Sequence, residues 1–434
     1  MNPNEVDFGN FELANYDGSV KMNIKQLALE LNVYEDMFEA VPKATIVLQD
    51  SNGLYNNYPI HGEERLTLDF KTRGTDEFVS LFFASYSVGK KINTSPGTLM
   101  YPINFMHREG VRDPKTVINN FFEGRVSDHI RKLTGRDYPL IEVEETSGLY
   151  RFAPTRETQL ETIERLRREA KSATHRSSSY VFFGRTDGFK FVTLEHLFEQ
   201  PAVATYYYSI ANQIEPTINP YNIISHFEIT KNDDLIDGMR GGLFGNTVET
   251  IDPLRKSFTK RDFNYFSNRD FLSTKHLADS ADGFVRASRI KRGPVAQVSQ
   301  EAHRSYLISD LHDQTPRSYM ELKSNEENVY RRTRHEDLPT KISLLRQTQS
   351  TVVKLVIPGD TRRHVGDCIN IQFPETNGSK FSEDKYLAGK FLVTSVRHKI
   401  DQDDTFTTQM ECVKDSFEER ISNTYNAQNN ITLT

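Results

Sequence analysis

Alternation with a period of two confines the stretch from Val353 to Phe417 to β-structure. Leu355 and Ile357 point to one side, Pro358-Gly359-Asp360 breaks the run, and Gly366-Asp367 returns the chain into Ile369, Ile371 and Phe373. A third run passes from Leu387 through Gly389, Phe391, Val393, Ser395, Arg397 and Lys399, and a fourth from Thr405 to Cys412, with Asp401 to Asp404 as the turn between them. Four short strands in a row predict an antiparallel meander.

A comparable series opens the chain. Met1 to Asp17 reads as an arm or first edge strand, and Val20 to Leu31 alternates loosely. Val33 to Phe38 interrupts the alternation before Ala44-Thr-Ile-Val-Leu-Gln-Asp50, and Ser51-Asn52-Gly53 is a turn signal. Leu54 to Ile60, Leu66 to Phe70, Phe78 to Val88 and Thr98 to Phe105 follow as closely spaced strands, the pattern of a small barrel or sandwich. The two series echo each other. Gly62-Glu63 before Leu66-Thr-Leu-Asp-Phe70 parallels Gly366-Asp367 before Ile369-Asn-Ile-Gln-Phe373. Each is succeeded by a strand with a basic end, Lys90-Lys91-Ile92 or His398-Lys399-Ile400, and by a closing strand, which predicts two copies of one β-barrel.

Between the copies the period changes. Asp113-Pro114 places an N-cap and a first-turn proline ahead of Val117, Ile118, Phe121, Phe122, Val126, Ile130 and Leu133, spacings that predict one amphipathic helix up to Gly135. Thr155 opens a second helix, with Leu160, Ile163 and Leu166 on one face and the pairs Glu161–Arg165 and Glu164–Arg168 on the other. Tyr180 to Phe198 predicts an aromatic hairpin turning at Thr186-Asp187-Gly188 and running into a helical turn at Leu194. From Asn222 to Tyr265, a strand with Ile224, His226 and Glu228, an acidic turn and a glycine-rich bend lead toward the second β-unit. Asn268 to Arg334 is long, polar and weakly periodic, which suits an interaction loop. Leu338 to Gln349 predicts a short helix.

The chain of 434 residues is too long for a single core. The expected class is mainly β with helical insertions, α+β. The expected boundaries are 1–110 for the first β-unit, 111–220 for a mixed helical and hairpin domain, 221–265 with 350–418 for the second β-unit, 266–349 for interaction loops and a short helix, and 419–434 for a flexible tail. The two cysteines, Cys368 and Cys412, fall inside predicted strands and read as small core residues in a reducing compartment. The first residues lack the basic start and apolar run of a leader, and no run reaches the roughly 18 apolar residues of a membrane span. A soluble protein made in the cytoplasm is expected. Net charge is −6, with Lys and Arg spread along the chain, so nucleic acid is not expected as a tight ligand. A mean hydropathy of −0.59 suits long polar loops and large polar contact surfaces.

The residues that could carry chemistry form no recognisable catalytic or ligand set. Gly238, Gly241, Gly242 and Gly245 lack the Gly-Lys-Ser/Thr end that grips phosphate and magnesium, and read as a tight bend. His303 and His312, or His335 with Glu336 and Asp337, have no two-ligand helical spacing and no supporting Cys. No Gly-x-Ser-x-Gly elbow is present. Glu142, Glu144 and Glu145 supply carboxylates of the kind glycoside hydrolysis needs, but alternation in a polar strand is the simpler explanation. No catalytic, cofactor-binding or metal-binding residue and no cofactor are expected.

The order Pro-Gly-Asp, Gly-Asp, Leu-Ala-Gly-Lys-Phe-Leu-Val-Thr-Ser-Val-Arg-His-Lys-Ile and Phe-Thr-Thr-Gln-Met-Glu-Cys resembles the C-terminal barrel of the baseplate hub proteins of contractile-tailed bacteriophages. That superfamily includes the T-even central hub, late control protein D and the hub of type VI secretion spikes. Tyr34-Glu-Asp-Met-Phe, Ala44-Thr-Ile-Val-Leu-Gln-Asp, Tyr58-Pro-Ile-His-Gly-Glu-Glu and Leu66-Thr-Leu-Asp-Phe resemble its N-terminal tube-like domain. The resemblance implies two tail-tube-like antiparallel β-barrel domains and a mixed middle domain. It implies a non-enzymatic homotrimer in the virion tail baseplate, a ring adapting the sixfold tail tube to the threefold central spike. The implied partners are the tail tube protein, the central spike or tail lysozyme protein and other baseplate proteins, with DNA passing through a bore without tight binding. His398 lies where the family often has His, as a structural strand-end residue. The alternatives are a peptidoglycan-cleaving tail enzyme using Glu142, Glu144 or Glu145, and the hub of a type VI secretion-like spike.

Overall fold

The computed structural model describes residues 4–58, 60–134, 139–175, 177–208, 218–232, 234–253, 256–264, 276–277, 304–309, 337–373, 384 and 387–416. Pro59, Gly135, most of the expected interaction loop and the tail from 417 onward lie outside these residues. The first β-unit comprises β1 (Val6–Ala14), β2 (Lys21–Asn23), β3 (Ala28–Asp36), β4 (Lys43–Asp50), β5 (Arg65–Thr72), β6 (Val79–Val88), β7 (Ile92–Ser95) and β8 (Thr98–His107). Alternation turns Ile46 and Leu48 of β4, Leu66, Leu68 and Phe70 of β5, Leu81 and Phe83 of β6, and Tyr101, Ile103 and Phe105 of β8 into one core. Burial of each such Leu, Ile or Phe stabilises by ~1.5–3 kcal/mol over exposure. Two expectations change here. β3 runs unbroken through Val33 to Asp36, because both its edges are paired. Leu54 to Ile60 is not a strand. The Asp50 carboxylate accepts from the Leu54 and Tyr55 N–H groups, both at 2.8 Å, and this cap starts the short helix α1 (Leu54–Asn57) instead.

The middle segment contains α2 (Arg108–Arg112), β9 (Val117–Ile118), β10 (Phe122–Gly124), α3 (Val126–Leu133), β11 (Leu140–Val143), β12 (Tyr150–Phe152), β13 (Glu157–Thr158), α4 (Gln159–Glu169), β14 (Tyr180–Arg185), β15 (Gly188–Thr193) and α5 (Leu194–Glu199). The single helix expected from Asp113 is shorter, since only Val126–Leu133 is α-helical. β9 pairs with β13, β10 pairs with β12, and Gly124 at φ 144° breaks any continuous helix. Phe121, expected on the buried face, is 61% exposed. The second helix starts later than expected, at Thr158, which forms a reciprocal capping box with Glu161. Glu161 is spent on that cap, and Arg165 pairs instead with Glu157. Glu164–Arg168 forms as expected at 3.0 Å. The aromatic hairpin of β14 and β15 is as read, and α5 follows it.

The remainder comprises β16 (Thr205–Tyr207), β17 (His226–Asn232), α6 (Leu235–Gly241), β18 (Gly245–Asp252), β19 (Ser257–Asn264), β20 (Arg304–Ser309), α7 (Leu338–Thr348), β21 (Thr351–Pro358), β22 (Cys368–Gln372), β23 (Gly389–Asp401) and β24 (Phe406–Lys414). The four strands read from the C-terminal stretch are present, but they are not a simple meander. β21 pairs with β24, whereas β22 pairs with β23 on one side and, in parallel, with β16 on the other. The segment after Pro358 is therefore a crossover and not a hairpin turn. Asp360, fully buried, holds it by accepting from Arg362 at 2.8 Å and Arg363 at 3.2 Å. Gly359 packs under Phe406, where an added Cβ would lie 2.0 Å from a ring atom.

Fourteen strands form one sheet, running β17-β21-β24-β23-β3-β4-β8-β6-β5-β1-β2, with β22, β16 and β7 off this path. The strand ladders leave this path open, and one isolated bridge, Glu5↔Thr405, links the start of β1 to the start of β24; the large sheet is continuous where two closed barrels are expected. The internal echo is nevertheless structural. The first unit is ordered β3-β4-β8-β6-β5 and the second β17-β21-β24-β23-β22, the same path through five strands taken in the same chain order. Each has a bulge at the same place, between Ser85 and Ser87 in β6 and between Val393 and Ser395 in β23. Leu66 faces Phe83 as Ile369 faces Phe391. The Ser85 N–H donates to the Glu64 carbonyl as the Val393 N–H donates to that of Asp367, each at 2.9 Å. The units are joined because β3 pairs antiparallel with β23 over seven residue pairs, from Asp36↔Ser395 to Glu30↔Asp401.

The middle segment is pinned to this seam by Glu35. Its buried carboxylate accepts from the Thr186 N–H at 2.6 Å and the Val365 N–H at 3.0 Å, and lies 3.2 Å from His364 Nδ1. Burial alone would raise its pKa, but the His364 charge and these hydrogen bonds hold it at about 2. His364 is raised by the same pair against its own burial. The carboxylate's contribution is present above its unfolded value of 4.5 and is lost as pH falls toward 2. The histidine's is present below its unfolded value of 6.5 and is lost as pH rises through its raised folded value. Glu35→Gln is expected to cost on the order of 3 kcal/mol in chemical denaturation near pH 6 and to flatten the loss of stability in acid. A change below ~0.5 kcal/mol would remove Glu35 as the pin.

Candidate functional site

Strand alternation that buries apolar residues on one face of the large sheet leaves its other face polar, and that face is continuous across the seam. Lys399, Asn32, Thr45, Asn104 and Ser87 stand opposite one another in successive strands. Asn104 Nδ2 donates to Ser87 Oγ at 3.0 Å, and Thr45 Oγ1 donates to Asn104 Oδ1 at 3.1 Å. Across the seam Arg397 donates to Asn32 Oδ1 at 2.8 Å, to Glu30 at 3.2 Å and to Gln409 at 3.4 Å, and lies over the Tyr34 ring. Lys399 is 3.6 Å from Glu30, and Lys354 is 3.9 Å from Glu411. Charges of both signs are interleaved along the face. Such a surface presents many weak polar contacts, which suits an extended contact or a channel wall better than a reaction site.

The carboxylates weighed as catalytic lie elsewhere, at the edge of the three-stranded sheet β11-β15-β14. Glu142 is held between Lys190 Nζ and His196 Nε2, each at 2.6 Å, and the His196 hydrogen bond, opposed by burial and helped by Lys190, brings its pKa to about 2. Glu144 accepts from the Thr193 N–H and Oγ1, both at 2.7 Å, and from Ser172, with His175 Nδ1 at 2.8 Å. Burial opposes ionisation there, yet these donors depress its pKa. Glu145 is lowered chiefly by Arg131, with Ser127 as a second donor. A glycosidase acid needs a raised pKa to carry a proton at neutral pH. All three glutamates are shifted the other way, and each is occupied by neighbours that hold the fold.

Of the other residues singled out, His303, His312, His335 and Glu336 lie outside the described residues, and Asp337 pairs with Lys171 at 3.0 Å and Ser178 at 3.1 Å. Cys368 and Cys412 are both buried, and Cys368 Sγ donates to the Leu197 carbonyl at 3.1 Å. Burial pushes the Cys412 thiol up. His398 is buried in β23 beside Phe70 and Phe406, and burial lowers its pKa to about 4. The glycine-rich bend is the end of α6, with Gly242 in a left-handed cap at φ 83°. Among the described residues no group of three or more His, Cys, Asp or Glu could hold a metal ion, and no helix is long and apolar enough to cross a membrane. The charge network of His175, Glu199, Lys190 and Thr193 carries no local sequence signal, since its members come from separate elements.

No family model and no curated protein matches the sequence. Among solved structures, the chain is similar to a tail protein from Neisseria meningitidis MC58, with a TM-score of 0.52 and 10% identity over 94% of this chain and 97% of that one. It is also similar to the 43 kDa tail protein of prophage MuSo2 from Shewanella oneidensis, with a TM-score of 0.53 and 10% identity over 93% of this chain and 98% of that one. The chain has the fold of these tail proteins. A type VI secretion component of E. coli, described as structurally similar to T4 bacteriophage tail proteins, is matched at a TM-score of 0.39 and 9% identity, over 94% of this chain and 76% of that one. Glu144→Gln is expected to lower stability by ~1–3 kcal/mol, through a buried acceptor set left mismatched. The unaltered chain is expected to release no fragments from purified peptidoglycan. Fragment release abolished by Glu142→Gln or Glu144→Gln would reverse the structural assignment of these residues.

Proposed function

We propose that the chain is the structural hub of a contractile phage tail baseplate, three copies of which form a ring between the sixfold tail tube and the threefold central spike. One observation carries this reading: a five-strand path occurs twice in one chain, fused edge to edge, in a fold shared with phage tail proteins. Three chains with two such units each offer six similar lobes to a sixfold tube while keeping threefold symmetry for a spike. On this reading residues 1–110 are one tube-like lobe, 221–265 with 350–418 the other, and 111–220 a middle domain. Residues 266–349 supply contact loops and a short helix, and 419–434 a tail.

The polar face of the large sheet lines the bore. Three chains at −6 each carry −18 in total, and a net negative ring with interleaved surface charges lets DNA slide instead of holding it. The partners are the tube protein above, a spike or tail lysozyme protein below and other baseplate proteins around, in the virion. The role is geometric and not catalytic, supported by the occupied, ionised state of Glu142, Glu144 and Glu145.

Native mass of the purified chain tests the ring, with a species near about 150 kDa expected, three times the 50.0 kDa chain, and capture of tube and spike proteins as its companion. Glu411→Lys, on the polar face, is expected to slow genome ejection while particles still assemble. Ejection at the unaltered rate would argue against this face as the wall of the bore.

A further inference from the structure

The seam between β3 and β23 surrounds one buried amide with a lysine, a carboxylate and a guanidinium. Asn32 is 2% exposed and stands directly opposite Lys399. Residues opposed in this way have Cβ atoms ~4.5–5.5 Å apart, a gap that a lysine arm spans. Asn32 Nδ2 donates to Glu30 Oε1 at 2.7 Å, and Lys399 Nζ lies 3.6 Å from Glu30 Oε2. One carboxylate therefore touches the amide nitrogen with one oxygen and faces the amine with the other. On the far side of the amide, Arg397 Nε donates to Asn32 Oδ1 at 2.8 Å, while its Nη2 reaches Glu30 Oε1 at 3.2 Å. Asp401 holds the Lys399 ammonium at 2.9 Å.

We propose that Lys399 and Asn32 form an isopeptide bond within the chain, with Glu30 as the proton carrier and Arg397 as the donor to the developing oxyanion. The bond makes the seam covalent, so that the two units are held by more than strand pairing. It concerns one chain and does not depend on the ring.

The charges at the start suit the reaction. Burial opposes ionisation of Glu30, but Asn32, Lys399 and Arg397 hold its pKa down, so it is a carboxylate able to take a proton. The Asp401 hydrogen bond raises the pKa of Lys399 against the effect of burial, so the amine begins as an ammonium. Glu30 takes one proton from that ammonium, and the freed Nζ lone pair attacks Asn32 Cγ. Negative charge develops on Oδ1, to which the Arg397 N–H already donates. Glu30 then passes its proton to Nδ2, the atom it already touches, and the Cγ–Nδ2 bond breaks as the Nζ–Cγ amide is completed. The departing ammonia carries off the second proton lost by Nζ and leaves as ammonium. One lysine ammonium and one primary amide thus become one secondary amide and one ammonium ion, and no oxidant or co-reactant is needed. Burial of Asn32 shields Cγ from water, which favours the amine as the attacking group.

Intact mass spectrometry of the full purified chain tests the bond. A species about 17 Da below the sequence mass is expected, the mass of the ammonia lost when the lysine amine replaces the amide nitrogen. In a tryptic digest, cleavage after Lys399 is expected to be blocked and its peptide to be joined to the one containing Asn32. Lys399→Arg and Asn32→Ala are each expected to keep the full sequence mass, and Glu30→Gln to slow formation of the bond ~100-fold. Full sequence mass in the folded, unaltered chain after prolonged incubation overturns the bond, whether or not the variants fold. So does a loss of about 17 Da that persists in Lys399→Arg, since the amine is then not the group that displaces ammonia.

Discussion

The antiparallel pairing of β3 with β23 is the contact on which the rest of the molecule depends. It joins residues separated by most of the chain and makes one sheet of two half-sheets. Each of its backbone hydrogen bonds adds only ~0.5–1.5 kcal/mol net, but the pairing also decides where side chains go. Ile400 and Phe406, which belong by sequence to unit two, are buried in the core of unit one. The Thr72 hydroxyl at the end of β5 donates to the Gly359 carbonyl at 3.1 Å and accepts from the Thr361 N–H at 2.9 Å, so the crossover of unit two also closes the end of unit one. Unit one has no complete core without unit two.

Polar chemistry inside the middle segment and at its junction with β3 serves the same end. Glu35, Glu142 and Glu144 are buried or half-buried carboxylates with full sets of donors drawn from several elements. An ionised group taken out of water is tolerated only where such donors replace its hydration. The result is a set of clamps that orient strands.

Much of this was legible from residue order, and the limits have physical causes. Period-two alternation located the strands around Leu66 and Ile369, because a strand must segregate its two faces, and the echo between those segments corresponds to equivalent places in the two units. Alternation says nothing about which strand lies beside which, so the crossover after Pro358 and the β3–β23 pairing were hidden. Helical spacing misled between Val117 and Leu133. There, Phe121 and Phe122 fit an amphipathic period, but Gly124 and two short strand pairings govern the backbone. The cap at Asp50 turned an apolar run into a helix through two hydrogen bonds that no pattern of hydrophobicity records. The polar face was written in the alternate positions of the strands, whereas the partners of Glu144 come from segments far apart in sequence.

The bulge shared by β6 and β23 acts as a change of phase along each strand. Before it, the inward series falls on odd positions, Phe391 and Val393. Beyond it, the inward series falls on even ones, Val396, His398 and Ile400. Ser395, Arg397 and Lys399 are thereby turned outward, although the period that began at Phe391 would have carried them into the core. A single strand thus works in two surroundings. Its first half is enclosed on both sides, with Lys390 reaching the Phe198 carbonyl at 2.7 Å, and its second half has one face toward the core and one toward solvent. One extra residue is enough to convert an interior beam into part of an outer wall in β23, whereas in β6, where Phe82 before the bulge is already 49% exposed, the same insertion changes phase along a strand that faces outward throughout.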